Sequence, residues 1–63
     1  MAKYSCFFVN VADRFEEVEA IEAATDSEAL TYAEQLLRRA RDTKAVEVWI
    51  HGKMVGRVDR ERS

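Results

Sequence analysis

Cys6 is the only cysteine in a chain of 63 residues, and this closes off the usual ways of stabilising so short a fold. A domain of this size buries only roughly 60% of its unfolded surface, and its core alone rarely supplies more than ~3–5 kcal/mol. One cysteine forms no intrachain disulfide. One cysteine with one histidine, His51, forms no structural zinc site. Hydrophobic side chains are 48% of the sequence, but nine of them are alanines. The core must come from few large side chains, and association with another chain is the remaining source of stability. The length allows a single domain over residues 1–63. Met1-Ala2-Lys3 does not open a secretory signal, and no apolar run approaches the ~18 residues of a membrane span. The chain therefore reads as soluble and cytoplasmic, with no membrane partner.

The residue pattern divides into five elements. Tyr4 to Val11 is rich in aromatic and β-branched residues, as strands are. Its two faces, Phe7/Val9/Val11 and Tyr4/Cys6/Phe8, are both apolar, which suits a central strand. Ala12-Asp13-Arg14 reads as a turn, with Asp13 supplying the turn chemistry. Phe15 to Ala24 fits a helix or a strand. A strand is preferred because the first strand needs a hairpin partner, and Glu16, Glu17, Glu19 and Glu22 suit an edge that resists further pairing. Thr25-Asp26-Ser27-Glu28 is a capping box in which Thr25 caps the amide of Glu28 and Glu28 returns to the amide of Thr25. The apolar stripe Ala29, Leu30, Ala33, Leu36, Leu37, Ala40 follows at helical spacing. This predicts a helix of about 16 residues, ~24 Å long, ended by Asp42-Thr43-Lys44.

Ala45–Ile50 and Lys53–Val58 read as two strands joined by a two-residue His51-Gly52 turn. Such a loop pairs Ile50 with Lys53, Trp49 with Met54 and Val48 with Val55. Asp59 to Ser63 is a charged tail, with residues 60–63 frayed. The first and third strands are apolar on both faces, whereas the second and fourth carry charge. The fold class is therefore α+β: a ββαββ domain with a four-stranded antiparallel sheet in the order 2-1-3-4 and one helix across one face.

The hairpin Ala45-Val46-Glu47-Val48-Trp49-Ile50-His51-Gly52-Lys53-Met54-Val55-Gly56-Arg57-Val58, with an aromatic first strand, an acidic second strand and an Ala-rich amphipathic helix, resembles small uncharacterised bacterial proteins common in alphaproteobacteria. Members of that family usually show Asp-Gly where this chain has His51-Gly52. The resemblance covers most of the chain and implies the ββαββ fold. The family has no assigned activity, so it implies no catalytic residue.

Chemistry-bearing residues are sparse. His51 is expected to be a turn residue that tolerates positive φ, and Cys6 a small buried hydrophobe. The four glutamates lack any calcium-loop spacing. Gly52 and Gly56, the only glycines, cannot form a phosphate-binding loop. No catalytic residue, cofactor or metal is expected, and the chain is not expected to be an enzyme.

Charge is unevenly spread. Residues 1–34 hold eight acidic and two basic side chains, and residues 35–63 hold four acidic and eight basic. Arg38, Arg39, Arg41 and Lys44, with Arg57, Arg60 and Arg62, are candidate phosphate contacts for a nucleic-acid-binding regulator. Such a regulator would also use Tyr4, Phe8 and Trp49 as a stacking platform. The net charge of −2 opposes that alternative. The favoured expectation is a protein-interaction module. In it the helix covers Phe7, Val9, Val11, Val46, Val48, Ile50 and Val55, and the opposite face, Tyr4, Cys6, Phe8, Trp49, Met54 and Val58, forms a homodimer interface. Of these, Tyr4, Phe8, Trp49, Met54 and Val58 are the expected contact residues, with Trp49 near the centre.

Overall fold

A computed structural model describes residues 1–60. The elements are β1 (Ala2–Asn10), β2 (Phe15–Ala23), α1 (Asp26–Arg39), β3 (Thr43–Ile50) and β4 (Lys53–Asp59). The sheet is antiparallel throughout, in the order β2-β1-β3-β4, with α1 against one face. This is the expected ββαββ α+β domain, and the ambiguous segment from Phe15 is the edge strand.

Local chemistry explains the joints. The β1–β2 turn is held by Asn10, whose carboxamide oxygen accepts the amides of Ala12 (2.9 Å) and Arg14 (3.0 Å). Asp13 supplies instead the left-handed backbone, at φ 66°, and its carboxylate pairs with Lys44. Thr25 is the N-cap, with extended backbone and an Oγ1 that accepts the Glu28 amide at 3.1 Å. The returning Glu28 carboxylate accepts from Ala24 (2.9 Å) rather than from Thr25, so the box closes one residue further out.

The helix is 14 residues long and ends at Arg39, and Thr43 and Lys44 already belong to β3. No glycine terminates it. Arg60 does so from the far end of the chain: its guanidinium donates to the carbonyls of Leu37 (2.6 Å), Ala40 and Thr43 (2.9 Å). These include carbonyls that a helix end leaves without partners. Arg60 is held by its side chain and by its backbone N–H, which donates to the Lys44 carbonyl at 2.8 Å. Residues 61–63, with Arg62, lie outside the described residues.

The core lies between α1 and the sheet. Ala29, Ala33 and Leu37 of α1 meet Tyr4, Cys6 and Phe8 of β1, Ile21 and Ala23 of β2, and Val46 and Val48 of β3. Ile50, Val55 and Val58 pack at its margin. The expected faces of β1 are thus exchanged. Tyr4, Cys6 and Phe8 lie beneath the helix, Phe7 and Val9 point to the open side, and Val11 is 71% exposed beyond the strand end. One reason is the Tyr4 hydroxyl, which donates to Asp26 at 2.7 Å in the first turn of α1. Buried tyrosines need such a partner, and this one lies on the helix side. Small alanines above let the large rings of β1 fill the gap between helix and sheet.

The β3–β4 turn has positive φ at both His51 (53°) and Gly52 (76°), the geometry that matches strand twist. Ile50 pairs with Lys53 and Trp49 with Met54, but Val48 pairs with Gly56, because a bulge makes Val55 an extra residue. The bulge turns Val58 to the helix side, opposite Val46. It also aims Gly56 at the helix, where an added Cβ would come within 2.9 Å of a Leu30 methyl. The glycine allows that close approach.

Candidate interaction face

Strand alternation fixes what the uncovered face carries. In β2 the residues opposite Tyr4, Cys6 and Phe8 are Ile21, Glu19 and Glu17, on the helix side. Those opposite Ser5 and Phe7 are Ala20 and Val18, on the open side. The acidic edge strand therefore sends Val18 and Ala20 outward and keeps Ile21 and Ala23 in the core. Phe7 stands at the centre of an aromatic row that crosses three strands. Its ring meets Phe15 edge-to-face at 5.8 Å and 73°, and Trp49 at 6.1 Å and 69°. Phe15 is 62% exposed, Val18 55% and Met54 50%, and Met54 sits beside Trp49 across the ladder.

Between β2, β1 and β3 lies a groove of about 480 Å³ lined by Phe7, Phe15, Val18 and Trp49 together with Glu16, Glu17 and Glu47. The central polar groups of this face are paired within the chain. Glu47 accepts the Trp49 indole N–H at 3.1 Å and an Arg57 Nη at 3.2 Å, and the Arg57 Nε donates to Asp59 at 2.9 Å. That last bond, chiefly, holds the Arg57 guanidinium above its usual range. The remaining exposed surface of the row is apolar and unmatched.

Of the five expected contact residues, Trp49 and Met54 stand on this open face. Tyr4 and Phe8 are buried beneath α1, and Val58 is turned to the helix side. These three placements are corrected by the β1 parity and the β4 bulge. Phe7, Phe15 and Val18 take their places. The signal for Phe15 and Val18 was present in β2, whose Val18 and Ala20 alternate with the neighbouring glutamates.

The basic candidates divide. Arg38 and Arg39 are exposed in the last helical turn and Arg41 just beyond it, whereas Lys44 is half-buried on β3 and pairs with Asp13. This pairing holds the Asp13 carboxyl below its usual range. Arg38 and Arg39 belong to the helix layer, across the sheet from the aromatic row. The stacking platform expected from Tyr4 and Phe8 does not form.

The remaining groups offer little reactivity. Burial, with help from Glu19, pushes the Cys6 thiol up to about 11, and its thiolate is the reactive form. His51 is exposed at the hairpin tip. Strand alternation separates the glutamates, and no cluster with metal-ligand geometry occurs among the described residues. No helix among them is long and apolar enough to cross a membrane. Comparison with protein-family models, curated proteins and solved structures returns no match.

Proposed function

We propose that this chain is a non-enzymatic assembly module of the cytoplasm that pairs with a second copy of itself through the open sheet face. The observation that carries the reading is the row Phe15–Phe7–Trp49 with Val18 and Met54 beside it. Contiguous apolar surface of this kind marks contact sites, and aromatic and methionine side chains are enriched in them. Glu47, Trp49 and Arg57 are paired within the chain, so none of them would enter an interface as an unpaired polar group, the costliest case. A core this small also gains from burying a second face.

Nucleic acid is the weaker reading. Glu16, Glu17 and Glu47 line the groove beside the aromatic rings and would repel phosphates there. Light scattering at micromolar concentration tests the assembly. A mass of about twice 7.3 kDa is expected, and a monomer overturns the reading. A titration with single-stranded RNA at two salt concentrations tests the other reading: steeply salt-dependent, saturable binding would revive it.

A further inference from the structure

We infer that the two-fold axis of the homodimer runs along the strands, so that β2 of each copy lies over β4 of the other and the partner's Arg57 closes the groove. This inference rests on the homodimer reading. Two sheets packed face to face about a two-fold axis have two limiting arrangements. An axis across the strands lays each strand over its own copy. An axis along the strands lays β2 over the partner's β4 and β1 over the partner's β3, with residues at one ladder level meeting residues of that same level.

Charge separates the two. On the open face β2 presents Glu22, with Glu16 at the groove, and no base, since Glu17 and Glu19 lie on the helix side; β4 presents Arg57 and Asp59, with Lys53 opposite Ile50 on the helix side. The first arrangement sets Glu16 and Glu22 of one copy over the same strand of the other, and like charges across an interface are costly. The second sets them over β4, where Arg57 stands beside Asp59.

Shape gives the same answer. Ala20, Ser5, Trp49 and Met54 form one ladder level across the open face. It is small on the β2–β1 half and large on the β3–β4 half. The axis along the strands therefore brings the partner's Trp49 over Ser5 and the partner's Met54 over Ala20. The next level is Val18, Phe7, Glu47 and Arg57. There the partner's Arg57 arrives above Val18, at the groove.

The groove suits that side chain: aromatic rings accept an apolar stem and a cation, and Glu16 and Glu17 line it as well. Arg57 uses its Nε and one Nη on Asp59 and Glu47, and its other Nη has no partner among the described residues. The molecule's longer extents, 32 and 21 Å, give a face of the order that standard interfaces bury per partner, ~800 Å².

Cross-linking tests the orientation. Val18→Cys and Met54→Cys are prepared separately on the full chain, mixed, and treated with a short bismaleimide. Both positions are exposed, so neither change opens the core. Cys6 is buried and does not compete. A covalent dimer is expected in the mixture, joining one copy of each variant, with neither variant linking to itself. Self-linking of Val18→Cys would show β2 over β2 and overturn the axis while leaving the homodimer standing. A dimer by light scattering that gives no link in any combination would place the interface elsewhere and overturn the proposal. A monomer by light scattering would remove the homodimer itself.

Discussion

Thr25 illustrates how much one hydroxyl does in a fold this small. Its Oγ1 takes the Glu28 amide, one of four N–H groups that a helix start leaves without partners. Thr25→Ala should cost about 1 kcal/mol, lowering the melting temperature by roughly 4–8 °C for a domain of this size. An unchanged thermal unfolding curve would show that the cap contributes nothing.

Cys6 makes a different prediction. Its thiol is raised to about 11 in the fold, against ~8.5 in an unfolded chain. The folded state thus favours the protonated thiol. This contribution is constant below the unfolded value and is lost as pH rises towards the folded one, because the unfolded chain ionises first. The stability advantage of the native chain over Cys6→Ala should shrink between pH 8 and pH 11 in urea titrations. An advantage independent of pH would mean that the thiol ionises as easily in the fold as in the open chain.

At the scale of elements, α1 is closed at its C-terminus by a residue from beyond β4. Arg60 reaches Leu37, Ala40 and Thr43 carbonyls with one guanidinium, so the last turn of the helix depends on a residue that follows β4. Arg60→Ala should destabilise by about 1 kcal/mol, with faster amide exchange in the last turn of α1 as the local signature. Exchange unchanged there would show that the clamp is dispensable.

Local signals made α1 legible from Thr25 onward and made the β3–β4 turn legible from the His51-Gly52 pair between two strand patterns. The edge position of β2 was legible in its glutamates. The parity of β1 was not, because Phe7/Val9 and Tyr4/Cys6/Phe8 are equally apolar. What decides between them is tertiary: the Tyr4–Asp26 bond and the small helix underside of Ala29 and Ala33. The bulge at Val55 had no local marker either, since Gly56 records a close approach by Leu30 that only the packed helix creates. These two features moved Tyr4, Phe8 and Val58 away from the open face and brought Phe7, Phe15 and Val18 to it.

At the scale of the whole molecule, one layer of helix and one sheet leave the sheet half covered, and assembly must be separated from folding in any test. Trp49→Glu would strike both, because the new carboxylate would sit beside Glu47 in place of the indole N–H that Glu47 now accepts. Val18→Lys separates them. Val18 is exposed and lies on a strand of four glutamates, so within one chain a lysine there relieves like-charge crowding. An exposed substitution of this kind changes monomer stability by no more than about 0.5 kcal/mol. Across the dimer the same lysine would face the partner's Arg57 and remove apolar contact area from the groove. A chain stabilised by pairing melts at a temperature that rises with its concentration. The native protein should show that dependence. Val18→Lys should run as a monomer and melt at a temperature independent of concentration, with its circular dichroism spectrum unchanged. If Val18→Lys keeps both the dimer mass and the concentration dependence, the open sheet face is not where the chains meet.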